Sequence, residues 1–320
     1  MYYYDVKVQR NIVMKLVRLA SIYINQNIPG KRRDEEEKMA EFTITGFADE
    51  ISEKIVEQFS YLNKLSIFWF EPRGIDGKNI SDLNEEETEA LKKKMEEFGI
   101  KVSSIGSPIG KIGITDDFDA HIEKLQNTIR VAKALGTKYI RMFSFYIPEG
   151  KYGEYRSEVI RRLKAMVEVA KAEGIILLHE NEKGIYADKA DRCLDILKTV
   201  DSPNFRAVFD PANFVQCGQD TKEAFEMLKP YVVYMHIKDA LADGSVVPAG
   251  YGIGNVEWIL TQLKEEDYHG FLSLEPHLGS FKGLENLELD DHMLELEGST
   301  PEKFKLAHDA LKAILVKIGA

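Results

Sequence analysis

From residue 41 onward the chain repeats one unit eight times: a short apolar run, then a longer amphipathic stretch rich in charge. The apolar runs fall at 42–47, 67–71, 101–106, 139–143, 175–180, 205–210, 232–237 and 271–275. The amphipathic stretches fall at 50–64, 85–98, 118–135, 154–173, 188–199, 220–229, 255–266 and 301–318. Every connection between apolar runs is long enough to hold a helix, so the strands can lie parallel. Eight such units close a (β/α)₈ TIM barrel. An open doubly wound sheet is the competing architecture, and it would carry a glycine-rich phosphate loop after its first strand. Here that turn reads Ala48-Asp49-Glu50, with no glycine cluster. The expected fold is therefore an α/β TIM barrel, a single domain over residues 39–320 with an extra N-terminal arm. Gly99, Gly136 and Gly174 mark helix C-termini, and Ser299-Thr300-Pro301-Glu302 marks the start of the last helix.

Composition limits the partners. With 44% hydrophobic and 30% charged residues the chain can bury a large core, and global disorder is excluded. A net charge of −11 repels phosphate backbones, so no nucleic-acid partner is expected. The two cysteines, Cys193 and Cys217, lie in no metal-binding spacing and suit a reducing cytoplasm. No apolar run approaches the roughly 20 residues that span a bilayer, so a cytoplasmic protein without a membrane partner is expected. A homo-oligomer is compatible with this composition.

Residues 1–38 differ from the rest: their eight basic and five acidic groups give +3 of the total −11, leaving −14 for the remainder. Residues 12–24 can be drawn as a basic amphipathic helix suited to a membrane surface or a regulatory contact. The reading preferred on sequence is a misassigned start, with translation beginning at Met39. The run Lys31-Arg32-Arg33-Asp34-Glu35-Glu36-Glu37-Lys38 is what a purine-rich ribosome-binding segment would encode if read in frame.

The last four apolar runs each end in a metal-ligating residue type: Glu180, Asp210, His236 and Glu275. In a parallel barrel, chemistry sits at the C-terminal strand ends. Residues two apart share a strand face, so Leu178 and Glu180, Val208 and Asp210, Tyr234 and His236, and Ser273 and Glu275 pair off by face. Each residue alone has an ordinary explanation, a helix N-cap for Asp210 or Glu180 and a hydrogen-bonded histidine for His236. Together, three carboxylates converging on one barrel mouth would repel one another without a cation. One divalent metal ion is the expected cofactor, Mn²⁺ or Mg²⁺ by ligand hardness, with Co²⁺ or Zn²⁺ also compatible.

Nearby residues take supporting roles. His179 has the opposite parity and is expected to pack; Glu182 lies beyond the strand and suits substrate contact or capping. His277 follows the bend at Pro276 and is expected to support the ligands. Glu71 and Arg73 are expected to pair with one another. Gly250-Tyr251-Gly252-Ile253-Gly254-Asn255 lacks the context of a nucleotide loop and is expected to be a flexible loop.

Seven stretches taken together are informative: Gly46-Phe-Ala-Asp-Glu-Ile51, Arg73-Gly-Ile-Asp-Gly-Lys-Asn79, Ser104-Ile-Gly-Ser-Pro-Ile-Gly-Lys111, His179-Glu-Asn-Glu182, Phe209-Asp-Pro-Ala-Asn-Phe214, His236-Ile-Lys-Asp239 and Ser273-Leu-Glu-Pro-His277. In these the chain resembles the xylose isomerase-like TIM-barrel superfamily. The branch is that of sugar phosphate isomerases and epimerases, which includes inosose dehydratase and ketose 3-epimerase relatives. The resemblance implies Glu180, Asp210, His236 and Glu275 as metal ligands, with Glu180 and Glu275 also the acid/base pair. It implies a metal-dependent isomerase or epimerase of a small sugar or sugar phosphate, acting by proton transfer through an enediolate. The alternative is a metal-dependent dehydratase of a cyclic polyol ketone. Arg141, Lys111, Lys238, Glu182, Asn213 and His277 are the substrate-binding candidates. Tyr251 and Ile253 stand where many relatives carry acidic residues. A DNA repair endonuclease on this barrel would need a multi-zinc cluster and a DNA groove. The seven histidines, none at the end of the second or third strand, and the acidic barrel argue against it.

Overall fold

In the computed structural model, described over residues 40–278 and 299–320, the eight expected strands close a ring. The expectation for the arm at 1–38 lies outside the described residues. Six strands form one parallel sheet: β1 (Glu41–Gly46), β12 (His269–Leu274), β9 (Val232–Ile237), β8 (Phe205–Phe209), β7 (Ile176–Glu180) and β6 (Tyr139–Met142), in that order. The remaining arc is β2 (Trp69–Phe70) paired in parallel with β5 (Lys101–Val102). Single links complete the circle: Glu71 donates its backbone N–H to Gly46 O at 2.9 Å, and Arg141 N reaches Ile105 O at 2.9 Å. The second and third strands are thus shorter ladders than their apolar runs suggested.

The helices are α1 (Ile55–Lys64), α2 (Glu85–Phe98), α3 (Phe118–Leu135), α4 (Tyr152–Ala172), α5 (Ala190–Val200), α6 (Pro211–Gln216), α7 (Thr221–Leu228), α8 (Val256–Glu265) and α9 (Thr300–Ile318). Their boundaries follow local chemistry. Asn84 and Glu87 form a reciprocal capping box on α2, and Ser299 with Glu302 does the same for α9, with Pro301 in the first turn. Gly99 and Gly136 end α2 and α3 at φ of 67° and 80°, a left-handed turn that a Cβ would disfavour. Two short hairpins, β3–β4 (Gly74–Ile75, Lys78–Asn79) and β10–β11 (Asp239–Ala240, Val246–Val247), were not anticipated, because two-residue strands leave no periodic signal.

The main core lies between sheet and helices, where Phe209 packs its ring 5.1 Å from Phe214 and 5.5 Å from Phe225. Inside the ring, buried Leu178, Val208 and Tyr234 make a small separate cluster. Each stands two residues before a candidate ligand, so strand alternation puts an apolar floor directly beneath Glu180, Asp210 and His236. No helix among the described residues is long and apolar enough to cross a membrane.

Candidate metal centre at the barrel mouth

The structure brings Glu180, Asp210, His236 and Glu275 together: one ligating atom from each lies within 4.8 Å of all the others, and all four residues are buried. Donors sharing one ion at bond lengths of roughly 2.0–2.6 Å stand up to about 5 Å apart, so the set has the dimensions of a single-ion site. Glu180 Oε1 is 2.9 Å and Glu275 Oε2 is 3.4 Å from His236 Nδ1. The opposite nitrogen, Nε2, faces Glu71 Oε2 at 3.3 Å, and Tyr234 donates its hydroxyl to that same oxygen at 2.8 Å. Nε2 makes no hydrogen bond, so Glu71 acts on the imidazole by its charge from behind, and Nδ1 is the nitrogen that faces the centre.

Asp210 does both things the sequence allowed. Its Oδ1 caps α6 by accepting Asn213 N at 2.9 Å, while buried Oδ2 makes no hydrogen bond and lies 3.3 Å from Lys238 Nζ. Asn181 bridges the adjacent strand ends, accepting from Asp210 N at 3.0 Å and donating to Asp210 O at 2.9 Å. A buried carboxylate oxygen with no hydrogen bond, beside two further carboxylates and an imidazole, is a donor set that fits a divalent cation.

The surrounding cations hold the glutamates differently. Arg141 Nη1 donates to Glu180 Oε2 at 3.0 Å, and its guanidinium lies between the rings of Phe47 and Phe143, 5.1 and 4.8 Å from their centroids. Asn213 Nδ2 approaches Glu180 Oε1 at 3.3 Å. Glu275 takes Arg73 Nη1 on Oε1 at 3.1 Å and Lys238 Nζ on Oε2 at 3.1 Å. His277 Nε2 stands 3.4 Å from Glu275 Oε1, and its backbone N–H donates to Glu50 Oε2 at 2.7 Å. The residue takes a left-handed φ of 45°, which turns its ring back toward the centre after Pro276. Lys111 and Glu182 pair at 2.8 Å, with Lys111 Nζ 4.4 Å above the Phe143 ring. Arg141, Lys238, Asn213 and His277 thus contact the two glutamates directly, whereas Lys111 and Glu182 adjoin Arg141 only across the Phe143 ring.

These contacts set the charge states. Burial pushes Asp210 up to about 7, with Lys238 only partly offsetting it. Burial would also raise Glu180, yet His236 and Arg141 hold it down at about 2. For Glu275 burial is outweighed by Lys238 and His277, and the carboxyl sits well below its ordinary range. His236 is pushed well above its ordinary value because Glu180 and Glu71 outweigh burial. Burial and Lys238 would lower His277, but Glu50 and Glu275 carry it up to about 9.

Two expectations need correction. Glu71 and Arg73 do not pair with one another: Glu71 serves Tyr234 and His236, whereas Arg73 forms a fork on Asp49 at 2.8 and 3.0 Å and reaches Glu50 at 3.3 Å. A strand places neighbours two apart on one face, but the chain leaves strand geometry after Phe70, so the two side chains diverge. The glycine-rich run at 250–255 is not a loose loop either. Gly250 and Gly252 donate to Asp239 Oδ2 at 3.0 and 3.1 Å, and Gly254 donates to Oδ1 at 2.7 Å. A Cβ on Gly252 would meet Ala240 O at 2.3 Å, so the glycines let backbone close around one carboxylate. His179 packs as expected, its Nε2 3.0 Å from Ser144 Oγ. Asp49, Glu50 and Glu71 went unassigned as site residues, although Glu71 ends its strand as the four ligand candidates end theirs.

A closed parallel barrel with a buried carboxylate–imidazole cluster at the C-terminal strand ends defines a recognisable class. A family model described as xylose isomerase-like TIM barrel matches residues 64–296, and the chain belongs to that family. Among its relatives, a 3-dehydroshikimate dehydratase of Bacillus anthracis is 24% identical over 239 residues, covering 69% of this chain and 84% of the relative. Among solved structures, the IOLI protein with a bound zinc atom matches with a TM-score of 0.67 at 15% identity, over 86% of this chain and 99% of that one. A 3-keto-D-glucoside 4-epimerase from E. coli matches with a TM-score of 0.62 at 17% identity, over 87% of this chain and 99% of that one.

Proposed function

We propose that the chain is a divalent-metal-dependent isomerase or epimerase of a ketose, moving a proton on the carbon next to a carbonyl. The observation that carries this reading is that two buried glutamates, Glu180 and Glu275, approach one imidazole nitrogen from different strands, each anchored by its own guanidinium. Glu180, Asp210, His236 and Glu275 would hold the ion, with Mn²⁺ or Mg²⁺ favoured by the oxygen-rich set. When bound, it supplies a Lewis acid that polarises the carbonyl and stabilises enediolate charge.

The chain's own residues do the rest. One glutamate takes the proton and the other returns it; return to the opposite face inverts the carbon, and return to the neighbouring carbon isomerises the sugar. Arg141, braced by two aromatic rings, keeps Glu180 ionised and oriented. Lys238 and His277 keep Glu275 ionised, Arg73 holds its Oε1 at 3.1 Å, and Lys238 spans from Glu275 to Asp210. The buried setting keeps bulk water from competing for these contacts.

Incubating the metal-loaded protein with a panel of ketoses in D₂O tests the reading. Deuterium should enter the carbon next to the carbonyl during turnover. Full turnover without deuterium entry would mean a hydride shift and would overturn it. A second reading, loss of water from a cyclic polyol ketone, is supported by the 24% identity to a dehydratase and by His277, an imidazole 3.4 Å from Glu275 that could protonate a leaving hydroxyl. Water loss would lower the product mass by one water and create a conjugated chromophore, which isomerisation does not.

A further inference from the structure

We infer that this site is built for an uncharged polyhydroxy ketone, and that Glu182 is the specificity residue that turns phosphate esters away. The inference deepens the proposed function by naming its substrate class. It rests on the metal-centred site but not on which reaction follows.

The argument is one of charge pairing. A pocket for a phosphate ester presents cations whose charge is not already spent, because a buried dianion must be paired. Among the described residues, four cations at the centre face carboxylates within 3.3 Å: Arg73 has Asp49, Glu50 and Glu275; Arg141 has Glu180; Lys238 has Asp210 and Glu275; Lys111 has Glu182. Among these described residues six carboxylates thus face four cations, a deficit of two that one divalent ion cancels. Glu71 and His277 add at most one charge each, of opposite sign. The loaded site is close to neutral whichever way the imidazole titrates, and a phosphate would arrive there as an unpaired dianion. Hydroxyl groups carry no such penalty: they can accept from Arg141 and donate to carboxylates.

Of these four cations Lys111 is the most exposed, at 10% against 6% or less for the others, and so the natural candidate to take a phosphate. It sits on the Phe143 ring that Arg141 also contacts, so it adjoins the centre. Its side chain and that of Glu182 are only 10% and 17% exposed, so their 2.8 Å contact is largely shielded from solvent. A shielded pair of this kind holds its geometry better than a surface salt bridge. Glu182 thereby cancels the most exposed of the four cations described at the centre.

Calorimetry on the Mn²⁺-loaded full chain tests this without requiring turnover. The ligands are ketopentoses, ketohexoses and a cyclic polyol ketone, each set against its phosphate monoester, with inorganic phosphate alone as a further probe. Uncharged compounds should bind at least about tenfold more tightly than their esters. Glu182→Gln, which leaves Lys111 without its carboxylate, should shift that ratio toward the ester by about tenfold or more. The Lys111→Gln, Glu182→Gln double variant should restore the wild-type ratio. Tighter binding of any ester by the wild type, failure of every uncharged compound to bind, or an unchanged ratio in Glu182→Gln would each overturn the inference. Loss of deuterium entry in the turnover assay would overturn the proposed reaction and leave this ratio as it is.

Discussion

Loading a metal into this centre must expel protons, and the structure says from where. Without an ion, Asp210 titrates at about 7 and His236 well above its ordinary value, whereas Glu180 stays ionised down to about 2 and Glu275 also remains ionised well into acid. Only the deprotonated forms can bind a cation, so a raised pKa means that the proton competes and affinity climbs with pH. Taking pH from about 7.5 to about 5.5 crosses Asp210 midway, which alone should weaken affinity by roughly 25-fold, and His236, raised by Glu180 and Glu71, adds to the loss in the same direction. Free Mn²⁺ counted by electron paramagnetic resonance gives the affinity. Calorimetry in two buffers of different ionisation enthalpy gives the number of protons released, which should be at least about one-half at pH 7, where Asp210 alone is half protonated. Asp210→Asn should reduce the slope of log affinity against pH by up to one below pH 7, besides weakening binding at every pH. An affinity flat to within tenfold over this range, or no proton release, would refute the ligand assignment.

Further outcomes follow from the same contacts. Glu180→Gln or Glu275→Gln should lower turnover by about 10²–10⁴-fold while part of the metal is retained, and a loss below about tenfold would reduce the glutamates to ligands only. His121 is buried, accepts Gly110 N at 2.7 Å on Nε2, and is pushed down to about 4, mainly by burial. A histidine depressed in the folded state stabilises above pH 6.5 and loses that contribution as pH falls toward 4; at pH 5 the wild type should lose at most about 2 kcal/mol that His121→Gln does not, measured as the pH dependence of their difference in urea midpoints. Gly110→Ala should cost several kcal/mol in the same assay, because φ is +88° there and a Cβ would stand 2.0 Å from Phe143 O. Removing residues 1–38 should leave metal stoichiometry and melting temperature unchanged; a drop of several degrees would assign those residues a structural role.

The fold was legible because its signal is repeated. Eight apolar runs separated by helix-length stretches admit few closed arrangements, and glycine caps such as Gly99 and Gly136 punctuate them. What stayed hidden was local. The second and third strands shrink to two-residue ladders at Trp69–Phe70 and Lys101–Val102, since hydrogen bonding at single positions such as Ile105 suffices to close the ring there. Helix α6 begins at Pro211 straight after Asp210, and six residues are too few to show a helical period.

The site was legible only as far as strand parity reaches. Parity put Glu180, Asp210, His236 and Glu275 on inward faces, and the chain then brings them within 4.8 Å of one another. Parity fails wherever the chain leaves a strand. Asp49 and Glu50 lie on a single 3₁₀ turn, Ala48–Glu50, and Arg73 lies in the bend before a hairpin; no periodicity connects them, yet they meet as a fork. His277 depends on a left-handed backbone angle that no side-chain pattern encodes. Glu71 is different, because it ends its strand as the other four do and the same rule should have singled it out. Opposite charge two residues apart points to Arg73 instead, but in this buried mouth the carboxylate stands behind the imidazole, 3.3 Å from His236 Nε2, and Arg73 turns to Asp49. Tyr234 then becomes part of the same device, since its hydroxyl holds Glu71 at 2.8 Å and its ring forms the floor beneath His236. The aromatic residue two positions before a strand-end histidine is therefore a tether for the carboxylate behind that histidine as well as a packing residue.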